Sequence, residues 1–227
     1  MFIDEFFDSA FYKELPLEER NQLKFGRVCW THAYYPHENL QFFRPVIEST
    51  EKTSTIASKF QIEAAGADAF RRTLPLGAPR LETNEEFLVV RAKIRPTIVV
   101  QPELPISSTV NRGYPGRVHR TRCTVAQVFG LADTATHRAE FSPVFVERVR
   151  RMEYPQLMFL PKRAGLFEVD SLLRLDELQS VFVPHLEPTK FALANEVEDI
   201  LIEQVQFLFT RKGPNSYTEL RQLILGI

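Results

Sequence analysis

The sequence predicts an α+β protein that is mainly β: a small, strongly curled sheet or barrel with a docked C-terminal helix and added helices. Three observations carry this. About five to seven short runs rich in β-branched and aromatic residues recur, among them "RVCWTHAYY", "TIVVQ", "TRCTVAQVF" and "LLRLDELQSVFV". One long amphipathic stretch follows them, with Leu193, Val197, Ile200, Leu201, Val205 and Leu208 on one helical face. The chain is 227 residues long, 44% hydrophobic and holds 19 Phe, enough material for a sizeable core.

Residues 3–24 read as one or two short helices, with Phe6, Phe7, Ala10 and Phe11 at helical spacing and Pro16 breaking the run. At Gly26 the pattern changes to alternation, so "RVCWTHAYY" reads as a strand ending at Pro36. Residues 37–88 are polar and punctuated by Gly and Pro, with a weak helical patch around Ile56–Phe70; they read as an insertion. From Phe87 strands return in "FLVVRA" and "TIVVQ". "SSTVNRGYPGRVH" is a loop, with turn signals at Asn111, Gly113 and Pro115-Gly116. "TRCTVAQVF" is the next strand. In "SPVFVERVRRM", Ser142 caps a helix whose first residue is Pro143. "QLMFL" and "LLRLDELQSVFV" complete the strands. After Pro188 the long helix runs to Gly213-Pro214, and Ser216 with Glu219 forms a capping box ahead of a last short helix. The expected organisation is a single domain over 1–227. Its barrel core is 25–36 plus 89–209, the insertion is 37–88, and a helical tail spans 214–227.

Several classes are disfavoured. Asp4, Glu5 and Asp8 stand where a signal peptide needs basic residues, and no apolar run is long enough to span a membrane. Cys29 and Cys123 lie in strand-like runs and read as reduced packing residues, so a cytoplasmic protein without membrane partners is expected. There is no glycine-rich phosphate loop, no G-x-S-x-G and no H-E-x-x-H. His32, His37, His119, His137 and His185 show no metal-ligand spacing. The expectation is therefore no cofactor and no metal.

Charge is uneven. Arg91, Lys93, Arg95, Arg112, Arg117, Arg120 and Arg122 stand against Glu103 alone, a local +6 that leaves −7 for the rest of a chain with net charge −1. A basic stripe on an acidic body suits a polyanion, or else a solvated loop-rich face. Within it, "KIRPTIVV" sets Arg95 at the start of an apolar strand. Guanidinium stays charged and its fork of donors suits phosphate, while proline tolerates a strand's first positions. A second Arg-Pro pair, Arg44-Pro45, is followed by "ESTEKT", a poor buried strand, so Arg95 is the working candidate.

In order, these pieces resemble the MazF/PemK (Kid) family of bacterial toxin endoribonucleases. Gly26-Arg27-Val28-Cys29-Trp30 resembles the family's opening Gly-x-Val-aromatic strand. "KIRPTIVVQ" resembles its Arg-Pro strand. Gly165, Asp170-Ser171 and "LLRLDELQSV", with Leu175, Asp176, Leu178, Val181 and then Leu186, resemble its late pattern. Residues 26–36 and most of 93–209 are covered.

The resemblance implies a Src-homology-3-like barrel of the CcdB/MazF type. It also implies metal-independent, sequence-selective cleavage of single-stranded RNA by the substrate's 2′-hydroxyl, a small antitoxin partner and a homodimer. It assigns the catalytic cation to Arg95. Chemical plausibility, rather than match, adds His119 for proton transfer. Arg91, Lys93, Arg112, Arg117, Arg120 and Arg122 would hold RNA phosphates, with Tyr114 and Trp30 for base stacking.

Two departures stand out. The insertion of more than 50 residues has no family counterpart. Phe129 also occupies the place of the family's threonine or serine, and Thr124 is an odd number of residues away. Two alternatives follow: a catalytically reduced nucleic-acid-binding module on the same barrel, or a CcdB-like protein-binding poison, suggested by the terminal Leu225–Ile227.

Overall fold

The structure is a computed structural model that describes residues 1–7, 11–34, 41–45, 60–64, 88–102, 122–133, 135–136, 139–212 and 215–226. In chain order its elements are α1 (Ile3–Phe6), β1 (Tyr12–Glu14), a 3-10 turn (Leu17–Glu19), β2 (Arg27–Tyr34), β3 (Gln41–Pro45), β4 (Phe60–Ala64) and β5 (Leu88–Val89). Then follow β6 (Ala92–Gln101), β7 (Arg122–Gly130), α2 (Pro143–Arg150), β8 (Leu157–Leu160), β9 (Ser171–Phe182), β10 (Glu187–Leu193), α3 (Asn195–Thr210) and α4 (Asn215–Leu225). The chain divides into two compact units, one of residues 1–33 with 94–227 and the other of 34–93.

The first unit is α+β, built on a seven-stranded, mostly antiparallel sheet in the order β1-β10-β2-β6-β7-β9-β8; the sheet is not closed. Its two faces carry separate cores. Val28, Ile98, Val100, Ala126 and Val128 belong to the large core, which also takes in Val149 of α2, Val197 and Leu201 of α3, and Leu220 of α4. The alternate residues Cys29, Val99, Cys123 and Val125 join Val181 and Leu186 in a smaller core. This is the two-residue period of a strand sorted onto two faces.

Gly26 shows why the opening strand needs glycine. Its φ is +73°, and a Cβ there would meet the Glu198 carboxylate at 3.1 Å. Its N–H donates to the Val99 carbonyl at 2.9 Å, and its carbonyl accepts from the Leu193 N–H at 3.0 Å. The residue therefore joins three strands at one point.

The helix expected at 143–152 is present as α2, with Ser142 Oγ accepting from the Phe145 N–H at 3.3 Å and Pro143 at its first position. Other expectations need correction. Among the described residues of 3–24, Ile3–Phe6 is an α-helix and Leu17–Glu19 a 3-10 turn, but Tyr12–Glu14 between them is a strand paired with β10 from Tyr12↔Leu193 to Glu14↔Phe191. Phe7 and Phe11 are still buried, stacked edge-on at 6.0 Å, so the aromatic spacing marks the core rather than a helix.

Pro188–Leu193 is not the start of the long helix. It is the body of β10, whose pairing with β2 at Glu187↔Trp30 and Ala192↔Arg27 satisfies backbone groups that a helix would leave unpaired on β2. The helix α3 begins at Asn195 and ends at Arg211, which takes φ 57° as its left-handed cap, before Gly213-Pro214, which lie outside the described residues. Ser216 is inside α4, and its hydroxyl donates to Glu203 of α3, so it bridges the two helices instead of capping one.

The second unit contains a three-stranded sheet in the order β4-β3-β5, with registers Phe43↔Ile62 and Phe42↔Leu88. The helical patch expected around Ile56–Phe70 is corrected at 60–64. There the alternation Phe60-Gln61-Ile62-Glu63 pairs with β3 as a strand.

Candidate functional site

The site grows from the pairing of β6 with β7. Thr97↔Gln127, Ile98↔Ala126 and Val99↔Val125 are opposite one another. Ile98 and Ala126 enter the large core, so Arg95, Thr97 and Val99 share the other face with Val125 and Gln127, while Phe129 is partly buried and packs against the large core. Extending the register by two residues sets Arg95 against Phe129. Its guanidinium carbon lies 4.4 Å from the ring centroid, within cation–π range.

A second arginine reaches the same ring. Arg174 of β9 is the register partner of Gln127, and its guanidinium carbon is 5.6 Å from the Phe129 centroid. The two guanidinium carbons are thus no more than 10.0 Å apart, the sum of those distances.

A bulge in β9 positions what surrounds Arg174. Ala126 pairs with Leu178 while the next residue, Gln127, pairs with Arg174, so Leu175, Asp176 and Glu177 have no partners on β7. Asp176 and Glu177 fold back on the arginine. Nε and Nη2 of Arg174 donate to Asp176 Oδ1 and Oδ2 at 3.1 and 2.7 Å, and Nη1 meets Glu177 Oε1 at 2.7 Å. Hydrogen bonding to Asp176, ahead of opposing desolvation, raises the Arg174 pKa, so it is a firm cation. Two cations and two carboxylates therefore gather beside one aromatic ring.

Beneath them lies a polar floor. Thr97 is fully buried and donates to the Cys29 carbonyl at 3.2 Å. Gln127 is 4% exposed, and its Nε2 donates to Gln179 Oε1 at 3.5 Å. Gln179 Nε2 donates in turn to the His32 carbonyl at 3.0 Å. Thr124 sits on the opposite face from Phe129 and donates to Gln101 Oε1 at 2.9 Å.

Among the described residues, the other sequence-predicted ones are not gathered here. Arg122 is exposed at the first position of β7, seven residues from Phe129 and so about 23 Å along the strand. His119, Arg112, Tyr114, Arg117 and Arg120 lie outside the described residues. Trp30, 36% exposed, alternates with Val28 of the large core and so faces away from the Arg95 side. Arg91 and Lys93 are exposed and belong to the 34–93 unit.

Cys29 and Cys123 are buried thiols, not joined in a disulfide, and burial pushes the Cys29 thiol up to about 12. Among the described residues no three His, Cys, Asp or Glu side chains are grouped to hold a metal. Sequence reasoning passed over Arg174, Glu177 and Gln127. The signal for the first two was present: the charged pattern "RLDE" interrupts an otherwise apolar strand. Comparison with protein-family models and with curated protein sequences found no match to this chain.

Proposed function

We propose that the protein is a metal-independent endoribonuclease of the MazF/PemK toxin type, acting on single-stranded RNA, with its open sheet a variant of that family's curled barrel. The observation that carries this reading is the convergence of Arg95 and Arg174 on Phe129, with Asp176 and Glu177 alongside. In the reaction the substrate 2′-oxygen bonds to the adjacent phosphorus while the bond from phosphorus to the 5′-oxygen breaks. A 2′,3′-cyclic phosphate and a 5′-hydroxyl result. Arg95 stabilises charge growing on the non-bridging oxygens. A carboxylate at Arg174 takes the 2′-hydroxyl proton, and His119 is the candidate to protonate the leaving oxygen. A small antitoxin protein covering the site and a homodimeric assembly belong to the same proposal.

The test is incubation of the full chain with a long single-stranded RNA in EDTA, with the product ends identified. Cyclic phosphate ends are expected. Arg95→Ala and Asp176→Asn should each lower the cleavage rate by about 100-fold or more. Undiminished cleavage by Arg95→Ala would remove that residue from the mechanism.

A second reading rests on Phe129, which has no hydroxyl to offer, and on Thr124, which faces away from it. Both suit a catalytically reduced RNA-binding module. Salt-sensitive RNA binding without any cleavage products would select it.

A further inference from the structure

Beneath the two arginines, Gln127 is a nearly buried amide whose hydrogen-bonding capacity the fold leaves incomplete. Its side chain makes only the 3.5 Å bond to Gln179 among the described residues. Among the described residues the fully buried side-chain atoms without a partner belong to Arg27, Glu203, Gln204 and Tyr217, so the Gln127 oxygen keeps access to solvent, and a ligand donor can take the place of water there.

The orientation of that amide follows from chemistry. The His32 carbonyl can only accept, so Gln179 turns its NH2 group to it and its oxygen toward Gln127. Gln127 must then turn its own NH2 group to Gln179. Its oxygen, Oε1, is left as an acceptor without a partner among the described residues. Register places Gln127 directly beside Arg174, and Phe129 follows two residues later on the same strand. Opposed residues of antiparallel strands lie about 5 Å apart at Cβ. A nucleotide whose phosphate rests on the arginines has its base within reach of this amide.

We propose that Gln127 is a base-reading residue: its Oε1 accepts a hydrogen bond from the exocyclic amino group of an adenine or cytosine, with Gln179 as the positioning residue that sets the amide's orientation. This rests on the RNA reading above and adds the class of base the site selects. Uracil has no exocyclic amino group and presents carbonyl oxygens there, so it meets an acceptor with an acceptor. Recognition of splayed, unstacked bases by edge contacts is the usual mode for single-stranded RNA.

The experiment measures binding of the full chain to fluorescein-labelled 12-mers of adenosine, cytidine and uridine in EDTA by anisotropy. A fourth 12-mer carries purine riboside, which is adenosine without its amino group. The wild type is expected to favour adenosine and cytidine over uridine and purine riboside by about tenfold. Gln127→Leu should reduce this preference to near unity, and Gln179→Leu should weaken it in the same direction. Arg95→Ala should lower all affinities together.

Equal wild-type affinity for adenosine and purine riboside RNA, or a Gln127→Leu profile matching the wild type, would overturn the assignment. Should Gln127→Leu fail to fold by circular dichroism, the purine riboside comparison decides alone. If the wild type binds none of these RNAs, the RNA reading itself fails. If it binds all four equally with a steep salt dependence, the RNA reading stands and the role of Gln127 falls.

Discussion

Phe129 looks like a loss when it is read against a family that places a hydroxyl there. In the folded chain it has a different use. Its ring is the surface on which Arg95 rests at 4.4 Å and Arg174 at 5.6 Å, holding two like charges near one another. Phe129→Leu keeps the apolar volume but removes the ring's negative face. RNA affinity should fall roughly two- to fivefold in that variant, corresponding to the 0.5–1 kcal/mol of a partly exposed cation–π contact. Titration of labelled RNA checks this, and unchanged affinity would mean that the ring does not organise the arginines. Arg95 and the adjoining proline were conspicuous in the sequence because a cation before an apolar run is a local feature. Arg174 was not, because its relevance depends on which strand lies beside β9 and in what register.

At the scale of elements, local rules succeeded where an element ends on its own residues. Ser142 and Pro143 announce α2, and the side-chain cap is present. The rules failed where pairing decided. Leu193 fits the helical period of Val197 and Leu201, yet β10 claims it because β1 and β2 both pair with that strand. The end of α3 is a second case. Gly213 marks a stop in the sequence, but Arg211 adopts the left-handed cap two residues earlier, its N–H donating to the Phe207 carbonyl. A side chain at φ 57° costs about 1 kcal/mol relative to glycine. Arg211→Gly should therefore stabilise the protein slightly, by up to about 0.6 kcal/mol in urea unfolding, after the greater freedom of glycine in the unfolded chain is subtracted. A destabilised variant would show that the arginine makes contacts worth more than its backbone strain.

For the whole molecule, the adjacency of β2 and β6 has a consequence. Gly26 bonds Val99 and Cys29 bonds Thr97, so the two strands run antiparallel, and the end of β2 lies beside the start of β6. A short turn in place of residues 36–91 should then join them. The shortened chain is expected to unfold in one cooperative transition; loss of cooperative unfolding would show that the first unit needs the second.

Burial also sets a response to alkali. It raises the Cys29 thiol from 9.0, and the Tyr217 hydroxyl from 10.0, each to about 12. A group with a raised folded pKa contributes stability that is complete below its unfolded value and lost as pH rises through its folded one. Stability should consequently fall between about pH 9 and 12. Cys29→Ala and Tyr217→Phe should each flatten part of that decline, as urea midpoints measured across the range would reveal. An identical decline in both variants would assign alkaline unfolding to other groups.

By itself the sequence determined that β2, β6, β7, β8 and β9 are strands, where α2 begins, and that Arg95 directly precedes the buried run of an apolar strand. These follow from side-chain period and backbone capping, which act over a few residues. Tertiary structure alone decided that Arg174 shares a ring with Arg95, that Trp30 faces the other way, and that Arg122 stands at the far end of its strand. Arg27 makes the same point: it counts as surface charge in any tally, yet it is 1% exposed and donates to the carbonyls of Arg20 and Thr189. Strand order and register join residues far apart in the chain, and a bulge of three residues in β9 changes what stands opposite what. Nothing in the local period specifies those pairings; they are set by the simultaneous burial of both faces of the sheet.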